Sequence, residues 1–152
     1  MTLSDRIERT MLLPVPCERV WDAVTKPEQL ARWFGVVSDI DFRVGGAIQF
    51  TWENERCPYP GRIEVIEPKQ HFAFRWPSYA VSHPKLTFAT VPSTLVDITL
   101  EERPEGTFLT LVESGIASLP QPIPTEEVYR DNKDGWQACL NGLLAYLQSQ
   151  EV

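Results

Sequence analysis

Apolar and polar positions alternate from residue 5 to 13, with Ile7, Met11 and Leu13 among the apolar ones, and this period of two predicts a first strand. Pro14 and Pro16 end it, and Pro16 is placed to open a helix. Over residues 17–24, Val20, Trp21 and Val24 recur at three- and four-residue spacing, which predicts a short amphipathic helix. Thr25-Lys26-Pro27-Glu28 has the form of a capping box and predicts a second short helix with Leu30, Trp33 and Phe34 on one face. From about residue 38 the period returns to two. Residues 39–44 predict a strand and Gly45-Gly46 a turn, after which Ile48, Phe50 and Trp52 alternate with Gln49 and Thr51.

Four more strands are predicted in the same way. Over 61–67, Ile63 and Val65 oppose Arg62 and Glu64, although Ile66 blurs the alternation; over 71–76, Phe72, Phe74 and Trp76 share a face. Val96, Ile98 and Leu100 share one over 95–101, and Leu109 and Leu111 oppose Phe108, Thr110 and Val112 over 107–113. One-sided alternation repeated this often predicts an antiparallel sheet packed on one face. The stretches 77–93 and 114–124 read as long connections, with 86–91 able to form a further strand. A helix closes the chain over 125–150, its apolar stripe made by Trp136, Cys139, Leu140, Leu143, Leu144 and Leu147. Thr125 is the expected N-cap, with Glu126 and Glu127 where the helix dipole favours acids. At 1.5 Å per residue this helix reaches roughly 35 Å, enough to cross the sheet.

Composition narrows the reading. A chain of 152 residues without repeats, low-complexity tracts or Gly/Ser-rich linkers is expected to be one domain over 1–152. A formal charge of −7 disfavours nucleic acid and anionic membrane surfaces as partners, both of which select clustered Lys and Arg. No apolar run approaches the roughly 20 residues of a bilayer span, so no membrane insertion is expected. Met1 to Arg6 carries no leader pattern, and Cys17, Cys57 and Cys139 are odd in number and far apart. Reduced thiols and a cytoplasmic location are the expectation. With two histidines, His71 and His83, and no clustered metal spacing, no metal site and no cofactor is expected.

Several short signatures together carry a family resemblance: Val20-Trp21-Asp22-Ala23, the run Pro27-Glu28-Gln29-Leu30-Ala31-Arg32-Trp33-Phe34, Val44-Gly45-Gly46, Gly106-Thr107-Phe108-Leu109-Thr110-Leu111 and Gly135-Trp136. In this order and spacing they resemble the AHSA group, homologues of the activator of a heat-shock chaperone ATPase, within the START-like (SRPBCC) superfamily. The resemblance covers essentially the whole chain. It implies an α+β helix-grip fold, in which a curved antiparallel sheet of six or seven strands wraps a long C-terminal helix, with two short helices after the first strand. It also implies an apolar cavity between sheet and helix. The stretches 77–93 and 114–124 look unlike the shortest family members, and one is expected to be a lid on that cavity, the alternative being plain connectors. Gly135 is then expected to allow close backbone approach of the helix to the sheet or the short helices. The superfold hosts carriers, enzymes and chaperone partners alike, so function must be read from the site.

The residues expected to line that cavity are Phe50, Trp52, Phe74, Trp76, Leu109, Leu111, Trp136 and Leu140, and from the residues alone the aromatics fit an entirely filled core equally well. Glu113 continues the inward face of Leu109 and Leu111 and is the one candidate catalytic group, a desolvated carboxylate able to act as general acid or base. The same residue can serve a purely structural hydrogen-bonding role. Arg75, Asp97 and Glu64 read as outer-face charges, and neither histidine sits in a recognisable triad. Three functions follow, in order of preference. The first is a small cytosolic binding protein for an apolar or amphipathic small molecule. The others are a polyketide-cyclase-like or hydrolase-like enzyme using the same pocket, and a chaperone-associated interaction domain connected with the stress response. A homodimer is a further possibility, with Tyr59 and Tyr79 as exposed contacts.

Overall fold

The computed structural model describes residues 5–34, 36–52, 55–57, 59–83, 88 and 90–149. Strand β1 (Arg6–Leu13) leads into helices α1 (Cys17–Thr25) and α2 (Pro27–Trp33). Strands β2 (Val36–Ile40), β3 (Ala47–Trp52), the two-residue β4 (Glu55–Arg56), β5 (Gly61–Glu67) and β6 (His71–Trp76) follow. A single helical turn, α3 (Tyr79–Ser82), precedes β7 (Thr94–Arg103) and β8 (Gly106–Ser114), and α4 (Thr125–Ser149) closes the chain. The strands form one antiparallel sheet in the order β1-β8-β7-β6-β5-β3-β2, with β4 paired to β3. The sheet is antiparallel and packed on one face, as the strand periodicity predicts, and it curves around α4 as the family resemblance implies.

The inward faces are those of the alternation. Ile48, Phe50, Phe72, Phe74, Trp76, Val96, Ile98, Leu109 and Leu111 are buried, and α4 meets them with Trp136, Leu140, Leu143 and Leu147. The outer face carries the expected charges: Arg75 Nε lies 3.4 Å from a Glu64 carboxylate oxygen, and His71 Nε2 lies 2.7 Å from Asp97.

Five expectations need correction. Strand β2 ends at Ile40 rather than continuing to residue 44, because the chain turns back through Arg43 N–H to Asp41 O and Gly46 N–H to Arg43 O. Gly45 takes φ 86° in this turn, a left-handed conformation that glycine adopts freely, and Phe42 and Val44 are left exposed. In β5 the register shifts between Ile63 and Val65, a bulge that puts Val65 opposite Ala73 and Ile66 opposite inward-facing Phe72. Ile66, not Val65, therefore joins the core, which is the origin of the blurred alternation. The capping box does not form: Thr25 Oγ1 donates to Trp21 O at 2.7 Å, and Lys26 is the N-cap of α2 without a side-chain bond. Gly135 is exposed, with open space where a Cβ would stand. The close approach is at Gly142 instead, where a Cβ would lie 3.5 Å from Trp33 O.

Tyr79 is the fifth. It is buried, and its hydroxyl donates to Pro92 O at 2.5 Å, so it offers no surface for a dimer; Tyr59 is also partly buried against the core. Of the possible strand over 86–91, residues 86, 87 and 89 lie outside the described residues, and 88, 90 and 91 are not in a strand. Cys17, Cys57 and Cys139 are unpaired, and burial pushes the Cys57 and Cys139 thiols up, which keeps them protonated. No described helix is long and apolar enough to cross a membrane.

Candidate functional site

Two features meet where α4 crosses the sheet. The first is a buried carboxylate. Glu113 follows Leu109 and Leu111 on the inward face of β8 and is fully buried. Its Oε2 accepts from Trp76 Nε1 at 2.9 Å and from Thr94 Oγ1 at 2.5 Å. Its Oε1 accepts from Trp136 Nε1 at 2.9 Å and from Asn132 Nδ2 at 3.0 Å.

Sequence and register explain the convergence. Trp76 and Thr94 are paired across β6 and β7, Glu113 pairs with Val96 on β8, and Asn132 and Trp136 lie one turn apart on α4. A carboxylate offers about four lone-pair sites, and four donors meet them here. Asn132 Nδ2 also lies 3.0 Å from Ser78 Oγ, tying the segment after β6 to the same helix.

The second feature is an aromatic cleft. It is lined by Val24, Leu30, Trp33, Phe34, Ile48, Phe50, Phe72, Phe74, Ile98 and Trp136. The only polar side-chain atoms in that set are the indole nitrogens of Trp33 and Trp136. Both are satisfied elsewhere, Trp33 by Ala23 O at 2.8 Å and Trp136 by Glu113. The surface left facing the cleft is thus apolar, as small-molecule sites largely are. The remaining space is about 10 Å³, on the order of one water, with Phe34 among the side chains that close around it. Phe34 is the C-cap of α2, its N–H bonded to Leu30 O, and its ring stacks on Trp136 at 5.4 Å between centroids and an interplanar angle of 1°.

Of the residues expected to line a cavity, Phe50, Phe74 and Trp136 do so, and Trp76 packs directly behind, its ring 5.3 Å from Phe50 and 5.4 Å from Trp136. Leu109, Leu111 and Leu140 are instead buried in the surrounding core. Trp52 ends β3, and its side chain lies outside the described residues. Sequence reading missed the contribution of the short helices. Leu30, Trp33 and Phe34 share a face of α2, and that face was the signal that could have placed them. Among the described residues, neither long connection lines the cleft, so the lid expected there is not seen; α2 covers it.

A family model for activator of Hsp90 ATPase homolog 1-like proteins matches residues 14–148. The chain belongs to this family. Solved structures share its architecture. DynU16, a protein of the dynemicin biosynthetic locus, is 26% identical with a TM-score of 0.72, the match covering 97% of this chain and 49% of that one. The AHSA chain thus spans about half the length of DynU16. MLL2253 from Mesorhizobium loti gives a TM-score of 0.73 at 20% identity, covering 97% and 98% of the two chains. Aha1 from Colwellia psychrerythraea, solved in solution as a dimer, gives 0.70 at 16%, with the same coverage. No curated protein matches the chain. The START-like helix-grip fold is therefore common to this chain and to proteins of diverse setting.

Proposed function

We propose that the protein is an intracellular binding protein for an apolar small molecule, held in the aromatic cleft between α2, the sheet and α4. The observation that carries this reading is the division of labour around Trp136. Its polar edge is drawn to Glu113, while its apolar face is presented to a cleft lined by nine further hydrophobic side chains. Glu113 serves in this reading as a positioning residue. Its lone-pair sites are engaged by four donors, which leaves no free oxygen to take a substrate proton, and this favours a carrier over a cyclase-like or hydrolase-like enzyme. Three unpaired thiols suit a reducing compartment.

A thermal-shift panel of fatty acids, sterols, polyketide-like aromatics and flavonoids tests the proposal. A ligand at 100 times its dissociation constant adds about 2.7 kcal/mol of stability. We expect a saturable shift that is lost in Ile98→Phe, where the added ring fills the cleft. A panel without any saturable shift counts against it.

A further inference from the structure

Among the described residues, five aromatic rings meet at the mouth of the cleft, and one differs from the others. Trp33, Phe50, Trp76 and Trp136 are all more than nine-tenths buried. The three indoles among them are fixed by hydrogen bonds to Ala23 O or Glu113, and Phe50 is held within strand β3, paired between β5 and β2. Phe34 is only half-buried, and its side chain has no polar handle to fix it. Yet it touches all four: stacked on Trp136, tilted against Trp33 at 5.7 Å and Trp76 at 5.6 Å, and edge-on to Phe50 at 5.9 Å.

We propose that the Phe34 ring occupies the seat of a planar aromatic ligand, and that the ligand binds by displacing it and stacking on Trp136 in its place. This rests on the reading of the cleft as a binding site. When Phe34 leaves, it uncovers a slot the size of its own ring, walled by fixed aromatic faces. Apolar cavities of about 150 Å³ stay dry and take up benzene, so such a slot has no competing occupant in water. A flat aromatic guest restores the offset stack on Trp136 and the edge contact with Phe50 that Phe34 gives up, whereas an alkyl chain restores area alone. The bonds from Trp76 and Trp136 to Glu113 keep the receiving walls in place while the seat changes occupant.

The test uses protein labelled with ¹³C in its phenylalanine rings and two probes, 2-naphthol and decanol. With 2-naphthol we expect saturable binding, loss of the ring-current shift that stacking on Trp136 gives Phe34, and an unmoved Trp136 indole N–H resonance. Phe34→Ala then binds 2-naphthol at least about tenfold tighter, because the self-occupied state no longer competes. Phe34→Leu, which keeps most of the apolar volume, lies between the two and guards against a folding artefact in the alanine variant. Binding that leaves the Phe34 resonances in place, or affinity unchanged in Phe34→Ala, overturns the proposal while leaving the cleft as a site. Decanol displacing Phe34 where 2-naphthol does not overturns the aromatic class. Failure of both probes overturns the proposal as well, and the wider thermal-shift panel then decides whether the binding reading falls with it.

Discussion

Glu113 accepts four hydrogen bonds from three elements, two from β6 and β7 that fix the carboxylate within the sheet and two from α4 that join the helix to it. Beside it, Trp136 of α4 meets α2 through the Phe34 ring by stacking and apolar burial, and further along the same two helices the Tyr146 hydroxyl donates to Gln29 Oε1 at 3.3 Å. Directional bonds specify one geometry and are costly to leave half-made. Apolar contact specifies shape and size, so a guest of the right outline can take it over. The interface thus combines a part that cannot give way with a part that can, and Trp136 belongs to both.

The largest test of this contrast removes the carboxylate. Glu113→Ala strands two indole N–H groups, a hydroxyl and an amide in the interior, and should cost roughly 5 kcal/mol. Glu113→Gln retains one accepting oxygen and should cost about 2 kcal/mol. Urea unfolding measures both, and a loss under 1 kcal/mol for the alanine variant would mean that the cluster does not hold the helix. Next come two phenylalanines of the cleft. Phe50→Ala, fully buried, should cost about 3–5 kcal/mol, and Phe34→Ala about 1 kcal/mol, since much of its ring burial is replaceable. Equal losses at the two positions would erase the distinction between fixed and displaceable rings.

Alignment between sequence and structure was best where one local rule sufficed. Period two placed Phe72, Phe74, Trp76 and Glu113 on inward faces, and the stripe from Trp136 to Leu147 placed α4. The rule failed where a single residue changed the count, as at the bulge that exchanged Val65 for Ile66. It failed again where two local partners competed, as when Thr25 bonded back into α1 rather than forward to α2. The site itself was legible in part. Alternation aimed Glu113 inward, but its four donors lie on three separate elements, and only the assembled register brings them together. The same limit hid Phe34, whose place on a short helix gave its face but not what that face would meet.

Smaller effects sharpen the boundary between the two regions. Burial, then the neighbouring Tyr59 and Cys57, pushes the Tyr79 hydroxyl from 10.0 up to about 12. Because the folded state holds this proton more tightly, its contribution is complete below pH 10 and falls as pH rises from 10 towards 12. The stability difference between wild type and Tyr79→Phe should therefore shrink over that range in urea unfolding; a difference independent of pH would place the hydroxyl in water. The smallest expected change is a gain. Gly135→Ala meets open space on the exposed side of α4 and should add about 1 kcal/mol, seen as a rise in Tm of a few degrees. A fall in Tm would restore the close approach that the glycine suggested.

The order of the sheet also bears on how the protein is made. Strand β1 is at one edge, and among the described residues its strand partner is β8 alone, so Leu13 pairs with Thr107; just beyond, the Thr107 hydroxyl closes on Val15 O across 92 positions of chain. At 5–20 residues per second, the ribosome delivers that partner about 5–20 s after β1 emerges. Through that interval β1 waits for the strand it pairs with in the finished fold. Arg6, Glu8 and Thr10, exposed along β1 in the finished fold, are suited to keeping it from pairing with another nascent chain.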